Sequence, residues 1–184
     1  MPLRGGLSRR AIIGDEPRPR GGAARSHPAG LVARDAKDFA AVLPATGSLL
    51  GLDASKKRIG LAGTDLDRRL VTPLATIDRP GAQDEAAALA PFVTQRLVVG
   101  LVLGWPLNMD GSEGAMAKAA EGLGRRLARE LGLPLLLQDE RLTTFAVSEA
   151  IAEGRLQRPR KGEKLDHYAA AVILEDALRA MDLR

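Results

Sequence analysis

Apolar residues come in two short runs, LLGL (49–52) and IGLA (59–62), either side of the polar, basic stretch Asp53 to Arg58. Runs of strand length around a few turn residues predict a β-hairpin. A third run, LVTPLATI (70–77), predicts an antiparallel strand with Pro73 at a bulge or edge. Residues 82–95 carry a helix pattern with Pro91 inside it, which predicts a break or kink there. LVVGLVL (97–103) is apolar on both faces, the mark of a strand inside a sheet covered by helices. Met116, Ala120, Leu123, Leu127 and Leu131 then share one helical face, with Ser112 as the expected cap and Gly132 and Pro134 as the stop. PLLLQ (134–138) predicts another buried strand, ending in Asp139-Glu140-Arg141. A helix from Thr143 or Thr144 to about Gly154, a basic loop over 154–164 and a final helix from about Leu165 to Met181 complete the pattern. Residues 35–43 predict a short helix ahead of Pro44. Hairpins first and crossovers after predict an α/β domain over 35–184, with a mixed five-stranded sheet and helices on both faces. Residues 1–34, rich in Gly, Pro and Arg without an apolar period, predict a disordered basic extension.

Composition changes this picture in one respect. The chain's net charge of +4 is unevenly placed, since residues 1–46 hold 8 Lys and Arg against 4 Asp and Glu, and the remainder holds 19 of each. The basic character belongs to the first part, so whole-chain charge is no argument that the folded part binds nucleic acid. Aromatics are only 3%, which argues against a base-stacking platform and leaves backbone and shape as the means of holding nucleic acid. The absence of cysteine excludes disulfides and thiolate metal sites and fits a reducing cytosol. The longest apolar run, Leu97 to Leu107, is too short to span a bilayer, and no signal-peptide core opens the chain.

Carboxylates end three apolar elements: Asp53, the pair Asp139-Glu140, and Asp166. From Asp166, the positions at i+3, i+4, i+7, i+8 and i+11 are Ala169, Ala170, Ile173, Leu174 and Ala177, so this Asp shares the buried stripe of its helix. A first-turn Asp is favoured by the helix dipole, but the dipole does not choose the side. Asp53 also suits a simple turn cap. Carboxyl ends of parallel strands lie along one sheet edge, where ligands bind. Two acids about 4 Å apart there repel by roughly 4 kcal/mol at an effective dielectric of 20. Two Mg2+ or Mn2+ ions would reverse that balance and supply phosphodiester hydrolysis, all-oxygen ligands selecting these ions over zinc. The cationic turn residues beside Asp53 point to phosphate.

GLDASKKRIGLAGTD, LGWPLNMDGSEG, DERLTT and KLDHYAAAVILEDAL together resemble the four signature segments of the YqgF/RuvX family, over about residues 37–182. That family is described both as Holliday junction resolvases and as pre-16S ribosomal RNA nucleases. The resemblance implies a ribonuclease H-like fold and a metal-dependent nuclease of the cytoplasm, acting on the 5′ end of immature 16S ribosomal RNA and meeting the immature small ribosomal subunit. It implies that Asp53, the pair Asp139-Glu140 and Asp166 are metal ligands. Glu140 is favoured over Asp139, but a strand apolar on both faces leaves that choice open. It further implies that Lys57, Arg58, Asn108 and Arg141 meet phosphates or fix loops. Where the family commonly has Gly-Thr, this chain has Ser55-Lys56; Ser narrows close backbone approach to a phosphate, which leaves two alternatives, Lys56 partly substituting as a direct phosphate contact or a reduced activity. Branched DNA is the alternative substrate. A non-catalytic nucleic-acid-binding module and an actin-like phosphate loop are the readings from other classes, the latter lacking the second domain needed to close on a nucleotide.

Overall fold

The computed structural model describes residues 30–79, 84–141 and 165–182. The expected helix after Thr143 and the basic loop 154–164 lie outside the described residues, as do residues 1–29. The strands are β1 (Val32–Ala33), β2 (Ser48–Ala54), β3 (Arg58–Thr64), β4 (Val71–Asp78), β5 (Val98–Trp105) and β6 (Leu135–Asp139). The helices are α1 (Ala36–Val42), α2 (Glu85–Gln95), α3 (Ala115–Leu131) and α4 (Asp166–Ala180). Sheet order is β1-β6-β5-β2-β3-β4. β2, β5, β6 and β1 run parallel, and β3 and β4 add on antiparallel as the hairpin pattern predicts.

Alternation along these strands sorts side chains onto two cores. Leu50, Leu52, Ile59, Leu61, Leu101 and Leu103 face α2 and α3, all fully buried. At about 2 kcal/mol for each such side chain taken from water, this layer is a principal source of the domain's stability. Leu49, Ala62, Val102 and Leu136 face the other way, beneath Phe39 of α1 and the apolar stripe of α4. That covering on both faces is what the unbroken apolar runs of β5 and β6 require.

Local signals are overruled in three places. The sheet has six strands where the pattern predicts five, because β1 is only two residues long and has no period to read. It forms by parallel pairing of Val32 and Ala33 with Leu135 and Leu136, and the Leu135 N–H donates to the Leu31 carbonyl at 2.9 Å. It lies inside the stretch expected as an extension. Pro91 does not end α2. The carbonyl it leaves without a partner is that of Ala87, and both residues are exposed, so water satisfies the group. Ser112 does not cap α3, which starts at Gly114 without a side-chain cap. Its hydroxyl donates instead to Asp110 at 2.6 Å, inside the preceding loop. Other expectations hold. The short helix expected over 35–43 forms as α1, where the Lys37 and Asp38 N–H groups donate to the Asp35 side chain at 2.8 and 3.0 Å, and Gly132 ends α3 with φ of 66°. Pro73 sits on the edge strand, where the β3–β4 register shifts. Among the described residues no helix is long and apolar enough to cross a membrane.

Candidate active site

The acids are placed by strand alternation at the carboxyl end of the parallel strands. Leu52 pairs with Leu103 and both face α2 and α3, so Asp53 and Gly104, one step on, face α4. In β6, Leu135 and Leu137 face α2 and α3 while Leu136 faces α4. Continuing that alternation puts Asp139 away from α4 and Glu140 toward it. A β-carbon at Gly104 would lie 2.1 Å from Glu140 Oε2 and 2.8 Å from Ile173 Cδ1 of α4. Glu140 therefore lies over Gly104, in the strand next to Asp53. The backbone of Glu140 continues the ladder, its N–H donating to the Trp105 carbonyl at 3.3 Å. The bare backbone at 104 is what admits the carboxylate.

A second glycine brings in the third acid. A β-carbon at Gly60 would come within 2.0 Å of the Asp166 carbonyl oxygen and 2.7 Å of the His167 nitrogen. Only a residue without one lets the first turn of α4 lie against β3. Asp166 is thereby held beside the hairpin, with its side chain 18% exposed.

Electrostatics ties the three together. Burial, and after it the Asp166 charge, push the Asp53 carboxyl up to about 6. Burial, then Asp53 and then Asp139, push Glu140 up to about 7. Asp139 goes the other way. Burial would raise it, but hydrogen bonds and charge from Arg141 outweigh burial and hold it below its ordinary value. The Arg141 fork lies on Asp139, with Nη2 to Oδ2 at 2.7 Å and Nε to the same oxygen at 2.8 Å. Asp166 accepts from Arg58 in the same manner, Nε to Oδ2 at 2.6 Å and Nη2 to Oδ1 at 3.4 Å. Among the described residues no three His, Cys, Asp or Glu side chains are gathered as a metal-binding cluster. Asp53 and Glu140 face the same side of the sheet and act on each other, and Asp166 acts on Asp53 from α4 while turned to Arg58.

The remaining expected residues frame this edge. Lys56 and Lys57 are exposed at the hairpin turn. Lys56 also lines a cleft with Ala54, Ser55, Pro106 and Met116, on the α3 side of the turn. Ser55 closes the turn itself, its Oγ accepting from the Arg58 N–H at 3.0 Å. Asn108 braces the loop before α3, its N–H donating to the Ser112 carbonyl at 2.9 Å and its Nδ2 to Ser112 Oγ at 2.8 Å. Arg141 reaches the same loop through the Met109 carbonyl at 3.4 Å.

Sequence reasoning missed the second ring. Arg79 pairs with the buried Glu85 and donates from Nη1 to the Ser55 carbonyl at 3.0 Å. Arg126 of α3 reaches the other Glu85 oxygen at 2.7 Å. Arg34, just after β1, stacks 4.7 Å from the Trp105 ring centroid and pairs with Glu113 at 2.8 Å and Glu121 at 3.1 Å. For Glu85 a signal was present. Leu89, Phe92 and Val93 stand at i+4, i+7 and i+8, the same stripe that marks Asp166.

Comparison with known proteins bears on the family and the fold. A family model described as "RuvX: Holliday junction resolvase" matches residues 47–180. A Cereibacter sphaeroides protein named "Putative pre-16S rRNA nuclease" is 43% identical over 152 residues, 83% of this chain and 95% of its own. A Rhodobacter capsulatus protein of the same name is 45% identical over 141 residues, 77% of this chain and 89% of its own. Among solved structures, T. thermophilus RuvC in complex with Holliday junction substrate superposes with a TM-score of 0.51 at 16% identity, covering 74% of this chain and 96% of that one. At that identity the likeness bears on the fold alone, which is ribonuclease H-like.

Proposed function

This chain belongs to the RuvX family, and from that premise we propose that it is a metal-dependent nuclease hydrolysing phosphodiester bonds of structured nucleic acid. Its reaction is 5′-end processing of the 16S ribosomal RNA precursor, in the cytoplasm and on the immature small subunit. The observation that carries the reading is the placement of Asp53 in β2 and of Glu140, lying over Gly104 of the neighbouring β5, on one face of the sheet, with Asp166 acting on Asp53 from the helix above them. The names of the curated relatives support the RNA substrate.

The donor set fits a hard divalent cation. All its donors are carboxylate oxygens, and burial with mutual repulsion leaves Asp53 and Glu140 needing a positive partner. Asp53, Glu140 and Asp166 would hold Mg2+ or Mn2+, two ions being the expectation. Such ions, once bound, supply an activated water and charge stabilisation for the leaving oxygen. The chain's own residues do the rest. Lys56 and Lys57 meet phosphates at the turn. Asn108 and Arg141 hold the 106–114 loop at the rim. Asp139, neutralised by Arg141, serves that loop and not the ions.

The decisive comparison sets wild type against Asp53→Asn on precursor 16S ribosomal RNA and on a four-way DNA junction, with and without Mn2+. Mn2+-dependent cleavage of the RNA is expected, with Asp53→Asn folded but slower by at least ~10²-fold, since loss of even an outer-shell partner costs 10–100-fold. Cleavage that survives Asp53→Asn would remove the assignment. The family model's own description favours a second reading, junction resolution. Preferential cutting of the DNA junction would establish that one instead.

A further inference from the structure

Arg58 spans from the hairpin to α4, and both oxygens of Asp166 accept from its guanidinium, at 2.6 and 3.4 Å. The Arg58 side chain is 35% exposed while Asp166 is 18% exposed, so the guanidinium keeps an outer edge open to a ligand. The fork that fits a carboxylate fits a phosphate equally well. A carboxylate whose two oxygens are engaged this way is a poor cation ligand, and the adjacent positive charge repels the cation as well. Asp53 and Glu140 carry no such counter-ion among the hydrogen bonds and ion pairs of the described residues. One of the three acids is thus held out of cation binding by a residue that has a second anion to prefer.

We propose that Arg58 is a substrate-operated counter-ion: it holds Asp166 until a phosphate of the nucleic acid draws it away, and its departure releases Asp166 to a divalent cation. The inference rests on the nuclease reading above and deepens it, turning Arg58 from a plain phosphate contact into the residue that couples the two bindings. Nucleic acid then tightens cation binding, and by reciprocity the cation tightens nucleic-acid binding by the same factor. An order of assembly follows, with the third acid becoming available only where a phosphate is already seated.

Calorimetric titration of the full chain with Mn2+, alone and with a hydrolysis-resistant phosphorothioate RNA duplex, tests this without reading activity. Arg58→Gln should bind Mn2+ about three- to tenfold more tightly than wild type in the absence of RNA, the range expected for freeing a mostly buried, forked pair that keeps some solvent. The RNA should tighten Mn2+ binding to wild type by a similar factor and leave Arg58→Gln unchanged. Arg58→Lys, which keeps charge but not the fork, should fall between the two. In an Asp166→Asn background the Arg58→Gln gain should vanish, which separates release of this carboxylate from general loss of positive charge. Equal or weaker Mn2+ binding by Arg58→Gln, or a gain that persists in Asp166→Asn, overturns the inference while leaving the nuclease reading in place. A folded wild type that binds no Mn2+ with or without RNA overturns both.

Discussion

Adjacent carboxylates at 139 and 140 have opposite surroundings because a strand points successive side chains to opposite faces. That division was not legible from residues 134–140, where Leu135, Leu136 and Leu137 are all buried and no polar position marks a side. It emerges only once register with β5 is known. A consequence is testable by pH. Asp53 and Glu140, raised to about 6 and about 7, keep protons in the folded protein where the unfolded chain has lost them. Their contribution to stability is full below the ordinary carboxylate range and is lost as pH rises through about 6 to 7. In chelator, the Glu140→Gln variant should therefore lose less of its melting temperature than wild type between about pH 5 and pH 8. Parallel thermal melts check it, and identical slopes would place the titrating group elsewhere. Added Mn2+ should stabilise wild type most at the upper end, since binding requires the deprotonated acids. Gly104 offers a second handle. In Gly104→Ala the new methyl would displace Glu140 Oε2, which ends a flexible chain, and press on the buried Ile173 Cδ1, so folding should suffer by about 1–3 kcal/mol. Mn2+ affinity should nevertheless fall about tenfold, as when the support of a ligand is disturbed. Calorimetry beside urea denaturation separates the two effects, and unchanged Mn2+ affinity would contradict the placement of Glu140.

Elements carry their own version of the ambiguity. The apolar-stripe argument selects Asp166 on α4 and would equally have selected Glu85 on α2, because it detects a carboxylate facing inward and not what meets it. Glu85 meets Arg79 and Arg126, and the trio joins the β2–β3 turn, α2 and α3. Glu85→Ala should cost about 3 kcal/mol, the lower end for orphaning a buried pair because both arginines keep some solvent. Urea unfolding measures this, and a loss under about 1 kcal/mol would mean the trio relaxes freely into water. The helix boundaries that sequence missed have a common cause. Pro91 and Ser112 are strong local signals, but an exposed position tolerates the first, and for the second the hydroxyl oxygen a cap would use already accepts from Asn108 Nδ2. Where hydrophobic period and turn chemistry agreed, as in the β2–β3 hairpin and the Gly132 stop, the elements formed as read.

At the scale of the molecule, the crossovers from β2 to β5 to β6 were legible from the order of apolar runs and helix patterns, while the sixth strand was not. β1 exists because the open edge of β6 accepts it, and Arg34 just beyond it braces Trp105, Glu113 and Glu121 near the acidic edge. Removing residues 1–29 should leave melting temperature and cleavage within about twofold of the full chain, whereas removing 1–34 takes β1 and Arg34 and should lower both. Melting curves and cleavage rates of the two truncations decide this, and a large activity loss in the shorter one would make the extension a substrate-binding arm. The placement of α4 has one more effect. Because this helix lies some 110 residues downstream of the hairpin it completes, a chain still being translated presents Asp53 to its surroundings well before the segment bearing Asp166 has emerged.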